Sequence, residues 1–307
     1  MSVAQTVRRA RWWTRCPVER LSAARLAFQT ASADDNRHDA GKLFSSQYLR
    51  RLSAVLPLEE ISVILEAEQY REQGLASSRA GDSDTAAALL SQAAATCEQA
   101  QLSRHASLSA LSFQLAAEAY VKHRRRDYSG AIRDLENAIL TATELETVHG
   151  HEMEFRRVHL ARNILRVRAS VPLDGEVVAD SLALLLYIGG NKACWPIAAG
   201  RGAGNPARMA ESQSVWAMDE LLINLALPTI DLGETAHLLP IPEDWSFAHP
   251  DLLASLHWCH ALTSLAQGNQ GRFLNHATSF FELGSGSLVH AGRHLERVCD
   301  DLEFPPG

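Results

Sequence analysis

The chain has 307 residues, of which 46% are hydrophobic and 21% are charged, and its formal net charge is -7. A chain of this length buries enough apolar surface to fold without disulfides or a structural metal, and its composition is that of a globular protein rather than a disordered one. The net negative charge argues against general nucleic-acid binding, because phosphate contacts need clustered positive charge.

The apolar segments and the cysteines of the sequence indicate the cellular compartment of the protein. The most apolar stretch, 177–188, is far shorter than the roughly 20 residues that span a bilayer, so we predict no transmembrane segment. The five cysteines are widely spaced and form no CxxC pair, which favours neither a disulfide framework nor a zinc site. We therefore expect a cytoplasmic protein.

The first 25 residues are strongly basic. They contain six arginines and one acid, Glu19, and the pair Trp12 and Trp13 lies between the arginines. Such a segment is typical of an amphipathic targeting peptide, which would direct the chain to an organelle or to secretion. Because Pro17 interrupts the candidate helix, we favour the alternative, a basic arm that docks on an acidic helical body.

Helix-favouring residues dominate the rest of the chain, and alternating β-branched runs hardly occur, so the predicted fold is all-α. Short connections force consecutive helices to be antiparallel, which makes the helical hairpin the structural unit. We predict helices at 19–32, 40–56, 58–80, 84–101, 104–126, 128–148, 151–169, 174–188, 208–226, 249–267, 270–283 and 287–302.

Small and apolar residues recur in the same order in two segments and more weakly in a third. The first segment has Tyr70, Gly74, Gly81-Asp82, Ala86, Leu90 and Ala93; the second has Leu115, Ala119, Asp127-Tyr128, Ala131, Leu135 and Ala138; the third has His257, Ala261, Gly268-Asn269, Phe273, Ala277 and Phe280. This order resembles the tetratricopeptide-repeat family. The interval from Asp82 to Asp127 exceeds the family's repeat of ~34 residues. The two architectures left open are a tetratricopeptide-like α-solenoid and a helical bundle.

We divide the chain into four segments. They are a basic N-terminal arm with helices (1–57), tetratricopeptide-like helix pairs (58–148), a helical region with a glycine-rich loop (149–248), and a C-terminal pair with a terminal helix (249–307). In the family that the chain resembles, the first helix of each pair lines a concave groove. The resemblance thus implies partner-binding side chains at Glu68, Arg71, Tyr120, His123 and Trp258.

These features favour a non-catalytic adaptor or regulatory protein that uses the groove to bind a protein or peptide. We expect it to need no cofactor, and a homo-oligomer is left open. Gly74 and Ala119 should lie at tight helix crossings, and Arg71, Tyr120 and His123 should share one accessible concave surface. Neither a GxSxG motif nor a convincing Cys/His pair indicates a catalytic residue.

The stretch 189–207 contains five glycines and two prolines, so it cannot be a regular helix. It lacks the Lys-Ser/Thr ending of a phosphate-binding P-loop. Lys192, Arg201 and Arg208 could still bind an acidic ligand, with Trp195 as a stacking surface. The alternative is a flexible excursion without a ligand.

Histidines raise a different possibility. Glu146 and His149 have the i, i+3 spacing of di-iron helical bundles, and His257 with His260 could supply further ligands. The alternative function is therefore an all-α metal-dependent enzyme, such as a di-iron-like oxygenase, or a small-ligand sensor. Helical histidines more often occupy ordinary core or surface positions.

Overall fold

The structure is a computed structural model, and it describes residues 17–33, 40–171, 176–225, 250–284 and 288–302. Within these ranges every regular element is helical, which confirms the predicted all-α fold. The twelve α-helices are α1 (Pro17–Ala33), α2 (Ala40–Leu52), α3 (Leu58–Arg79), α4 (Ser83–Gln99), α5 (Arg104–Arg124), α6 (Tyr128–His149), α7 (Glu154–Arg168), α8 (Glu176–Ile188), α9 (Glu211–Leu225), α10 (Pro250–Ala266), α11 (Gln270–Leu283) and α12 (Val289–Asp301). Short 3₁₀ helices lie at Lys192–Cys194 and Pro206–Arg208.

Capping residues set several helix ends. The Asp82 carboxylate accepts a hydrogen bond from the Thr85 backbone N–H at the start of α4, and Asp127 accepts one from Gly130 at the start of α6. At the other end of α6, Gly150 has a φ of 71°, a left-handed conformation that glycine adopts without strain. The two aspartates follow the turns that the repeat pattern indicated.

Backbone contacts divide the chain into two compact units. We call His38–Gln213 the central unit, and Met1–Arg37 together with Ser214–Gly307 the terminal unit. The central unit contains α2 to α8, the glycine-rich loop and the first three residues of α9, and the terminal unit contains α1, the rest of α9, and α10 to α12.

In the central unit, each helix from α3 to α8 packs on its neighbour in sequence, as in a helical repeat. The pairs α3–α4, α5–α6 and α7–α8 are hairpins, and α3 also packs on α5. The crossing of α3 and α4 is close at Gly74, where an added Cβ would lie 3.2 Å from both the Ala86 carbonyl oxygen and Leu90 Cδ2. Ala119 of α5 is also buried. The contacts at Gly74 fit the expected close crossing, whereas Ala119 lines a pocket between α5 and α7.

In the terminal unit, α10 and α11 form a hairpin, α1 packs on α11, and α12 packs on α10. The Phe28 ring of α1 lies 5.6 Å from Phe280 and 5.4 Å from Phe281. Two arginines of α1 form ion pairs with acids near the C-terminus: Arg20 with Glu282 and Arg25 with Asp300, each at 2.6 Å. This part of the basic segment contacts one acidic side chain of α11 and one of α12, and residues 1–16 lie outside the described residues.

Within the described ranges, no helix is both long enough and apolar enough to cross a membrane.

Candidate helix-binding groove

Helix α2 lies against the first helices of the three hairpins in the central unit. It buries Phe44, Tyr48 and Leu52, and their spacing of four residues places them on one face of the helix. The Phe44 ring lies 5.4 Å from Phe155 of α7, and the Tyr48 ring lies 5.7 Å from Phe113 of α5. We call the surface of α3, α5 and α7 that α2 contacts the groove.

A hydrogen bond fixes the register of α2 in the groove. The hydroxyls of Tyr48 and Ser109 are 2.9 Å apart, and Ser109 Oγ donates to the His105 carbonyl oxygen at 3.0 Å. Ser109 has a single hydroxyl proton, so Tyr48 is the donor in the buried pair. Burial raises the pKa of Tyr48 to about 12. The Tyr48 hydroxyl therefore stays protonated and able to donate.

The interface between α2 and the groove is tightly packed. The gap lined by Tyr48, Leu52, Ile64 and Ser109 has a volume of about 10 Å³. This is no larger than the space that a single water needs. Tyr48 and Leu52 are therefore closely packed against α3 and α5 at this end of the groove.

A buried guanidinium forms part of the groove floor. Arg156 of α7 lies over the Phe113 ring at 4.3 Å and donates from Nη2 to the Ser112 carbonyl oxygen at 2.9 Å. Burial lowers the pKa of Arg156 to about 10, and the Glu68 carboxylate opposes that shift. Arg156 stays charged at neutral pH, and its buried Nε has no hydrogen-bond partner among the described residues.

Part of the groove is open. A cavity of about 660 Å³ lies beside α2 and is lined by Glu68, Leu75 and Arg79 of α3 and by Arg156 and His159 of α7, among others. This volume is in the range of sites that bind small molecules or several side chains of a partner. The open part combines apolar surface with charges of both signs.

The predicted groove residues do not share one accessible surface, so that expectation is wrong. Arg71 is 3% exposed, and its Nε donates to Glu68 Oε2 at 2.9 Å, so it belongs to the groove floor. Trp258 is fully buried in the terminal unit, where its Nε1 donates to the Ala291 carbonyl oxygen. Neither side chain can be an exposed anchor for a partner.

The other three predicted residues remain in the central unit. Glu68 lines the 660 Å³ cavity, whereas Tyr120 and His123 are half-buried and line a second pocket between α5 and α7. The helical periodicity thus identified the inner face of α5. It did not show that α2 separates part of the groove from solvent, because that contact joins residues far apart in sequence.

The glycine-rich loop is irregular, as predicted, but it is packed on the hairpins. Trp195 is buried against Tyr187 at a ring distance of 5.0 Å, and its Nε1 donates to the Ala199 carbonyl oxygen. Arg208 forms an ion pair with Glu146. Lys192 and Arg201 are exposed. Trp195 is therefore not a stacking surface for a ligand, and the loop is not a loose excursion.

A buried ionic network holds the loop in place. Glu154 is 1% exposed and accepts hydrogen bonds from Arg157, from the Tyr187 hydroxyl at 2.6 Å and from the Asn205 backbone N–H at 2.7 Å. An added Cβ on Gly204 would lie 1.7 Å from the Tyr187 hydroxyl oxygen, so only glycine fits there. Sequence reasoning missed this network; its one signal is the i, i+3 spacing of Glu154 and Arg157.

The metal-ligand candidates contact other side chains. Glu146 is bound to Arg157 at 2.8 Å and also to Arg208, and His149 stacks on His105 at a ring distance of 4.2 Å. His257 Nδ1 lies 3.0 Å from Nδ1 of His276. Across the described residues, no set of three or more His, Cys, Asp or Glu side chains is arranged to hold a metal ion. The carboxylate of Glu146, one of the candidate ligands, is thus paired with two arginines.

The groove therefore offers aromatic surface, a buried guanidinium with an unused N–H, and an open cavity next to a bound helix. These are the elements of helix-in-groove recognition, in which an amphipathic helix places its apolar face in a complementary surface. No family model, curated protein or solved structure matches this chain.

Proposed function

We propose that the protein is a tetratricopeptide-like adaptor that binds an amphipathic helix of a partner protein in the groove formed by α3, α5 and α7. The observation that carries the proposal is that the groove already binds a helix, α2 of the same chain, through Phe44 and Tyr48. A partner helix with two aromatic residues four positions apart would make the same contacts.

A partner helix has to compete with α2, which is tethered to the groove by a short linker. Residues 53–57 alone connect α2 to α3, so the local concentration of α2 at the groove is in the millimolar range typical of short linkers. A partner helix with the same contacts would displace α2 only if it gained further contacts. The open cavity beside α2 can supply them.

The chemistry of the open cavity indicates which further contacts are favourable. Arg156 has an unused Nε–H in an environment that excludes most water. A partner carboxylate that contacted the Arg156 guanidinium from the cavity would form a charge-assisted hydrogen bond. The preferred partner therefore carries an acidic residue next to its aromatic pair, and Leu75 supplies apolar contact.

The test uses the full chain with Phe44→Ala and Tyr48→Ala, which weakens the hold of α2 and opens the groove. A fluorescently labelled peptide with the sequence of residues 40–52 is titrated against this chain and against the wild type. Because α2 no longer competes, we expect the variant to bind the peptide at least about tenfold more tightly than the wild type.

Two controls make the result specific. A peptide carrying the same two alanines should not bind, and a chain that adds Leu140→Ala, an exposed position on α6, should bind the unmodified peptide as the double variant does. Circular dichroism establishes that each chain is folded. A folded double variant that fails to bind the peptide would remove the groove from the account.

A further inference from the structure

A second pocket of the central unit lies between α5, α6 and α7. Its volume is about 170 Å³, and Ala116, Ala119, Leu135 and Val167 form an apolar floor. An apolar cavity of about 150 Å³ is large enough to hold benzene. The floor of this pocket therefore suits a compact apolar group of that size. We call it the α5–α7 pocket.

The rim of the α5–α7 pocket is basic and polar. Arg124 and His123 come from the last turn of α5, and Arg166 and Asn163 come from α7, with Tyr120 beside them. Among the residues that the structure describes, no acidic side chain lines the pocket. Neither guanidinium forms an ion pair with any residue in the described part of the chain, although the whole chain carries a net charge of -7.

The helix dipoles disfavour an anion here, so the partial charges at the helix ends have to be compared with the charges of the two arginines. The pocket lies near the C-terminal ends of α5 and α7, each of which carries about half a negative charge. Arg124 and Arg166 each carry a full positive charge on a long side chain that can move toward a ligand. The balance at the rim is therefore positive.

We infer that the α5–α7 pocket binds a small organic anion, in which a carboxylate or phosphate group contacts Arg124 and Arg166 and a compact apolar group lies on Ala116, Leu135 and Val167. The ligand is either a free small molecule or the C-terminal end of a peptide, because both present the same chemistry. This site lies apart from the surface that α2 occupies, and it does not depend on the helix-binding proposal.

His123 provides a spectroscopic readout that a purely structural pocket would not give. Burial, Arg166 and Arg124 lower the pKa of His123, and its Nε2 lies 3.1 Å from Ser170 Oγ. A bound anion would offset the two guanidinium charges and raise that pKa. By thermodynamic linkage, the anion would then bind more tightly as the pH falls through the titration of His123.

The experiment titrates the full chain with benzoate at low ionic strength, because salt screens exposed charges. Calorimetry gives the affinity and proton NMR follows His123. Benzoate should bind with a dissociation constant of about 1 mM or lower, and Arg124→Gln and Arg166→Gln should each weaken binding at least about fivefold. Ala116→Leu should abolish binding by filling the floor, whereas Arg133→Gln, at an exposed position on α6, should change nothing.

Further probes test the role of the negative charge and the kind of ligand separately. Benzamide, the neutral analogue, should bind at least about tenfold more weakly than benzoate if charge decides recognition. A short peptide that ends in a free phenylalanine carboxylate, compared with its amide and with benzoate, separates a peptide end from a free small molecule. Equal binding of benzoate and benzamide, binding unaffected by both arginine variants, or no binding of any probe at about 20 mM would each overturn the inference.

Discussion

The hydroxyl of Tyr48 in α2 donates to the hydroxyl of Ser109 in α5 across 2.9 Å, and this buried hydrogen bond joins residues 61 positions apart. Apolar packing alone would let α2 slide along the groove by one helical turn. A buried donor that needs a single acceptor does not tolerate such a shift, because an unsatisfied hydroxyl in this place is unfavourable. The pair therefore fixes where the helix binds.

The coupling between these two residues can be measured in the free energy of unfolding. Tyr48→Phe removes the donor and should destabilise the protein by about 1 kcal/mol, whereas Ser109→Ala leaves the Tyr48 hydroxyl buried without an acceptor and should destabilise it by about 1 to 3 kcal/mol. The double variant should lose less than the sum of the two, by roughly 1 kcal/mol. Urea denaturation of the four proteins gives the cycle. Strict additivity would mean that the two hydroxyls do not interact.

Gly74→Leu tests the closest crossing between α3 and α4. A side chain at this position meets the Ala86 carbonyl oxygen and Leu90 at 3.2 Å, so leucine should destabilise the protein by about 1 to 3 kcal/mol through overpacking. Gly271→Leu, in the first turn of α11, is the control, because no atom lies nearer than 3.9 Å to an added Cβ there. Thermal melts of the two variants compare the two sites. Equal melting midpoints for Gly74→Leu and Gly271→Leu would mean that the helix crossing relaxes around the added side chain.

Glu154→Ala tests the buried network that holds the glycine-rich loop. The substitution leaves Arg157 buried with one carboxylate fewer, so we expect a loss of about 3 kcal/mol or more. Glu152→Ala is the matched control, since Glu152 pairs with Arg51 at an exposed site and should contribute about 1 kcal/mol or less. Chemical denaturation measures both. The network would be of minor importance if Glu154→Ala changed stability no more than Glu152→Ala does.

Low pH should destabilise the central unit near the start of α5. His105 Nε2 lies 2.6 Å from His151 Nε2, so the contact needs one ring nitrogen without a proton. Burial and neighbouring His149 lower the pKa of His105, against the Glu60 carboxylate, and burial, His105, His149 and Arg51 lower that of His151.

The lowered pKa values of His105 and His151 determine how stability changes with pH. Both pKa values lie below 6.5 in the folded protein, so the unfolded chain binds more protons as the pH falls through 6.5. Stability should therefore be complete above about pH 7 and decrease toward pH 5. His151→Gln should make that decrease in stability less steep. Part of the decrease should remain, because other buried histidines also titrate. A stability that stays constant from pH 7 to pH 5 would contradict the assignment.

The helices were predictable because their signals are local. Asp82 and Asp127 caps, the turn that contains Gly81, and the apolar periodicity of α3 to α6 each depend on a few neighbouring residues. Gly74 was predictable for the same reason, since the repeat pattern places a small residue at a close crossing.

The errors concern contacts between distant segments. Arg71 lies on the face of α3 that periodicity assigns to a groove, but contacts with α2 and Glu68 bury it. Glu154 and Arg157 were not singled out from the sequence, because the backbone N–H of Asn205 that contacts Glu154 lies 51 positions away along the chain. Periodicity predicts on which face of its helix a side chain lies. It does not predict which distant segment of the chain packs over that side chain.

The most direct test of helix binding is the selection of partners from a peptide library by the full chain carrying Phe44→Ala and Tyr48→Ala. The account predicts enrichment of amphipathic sequences with two aromatic residues four positions apart and an acidic residue nearby. It also predicts that the selected peptides lose affinity when Phe113→Ala is added to the chain, because Phe113 packs against the Tyr48 ring in the groove. Enrichment without this aromatic spacing, or binding that Phe113→Ala leaves unchanged, would contradict the account.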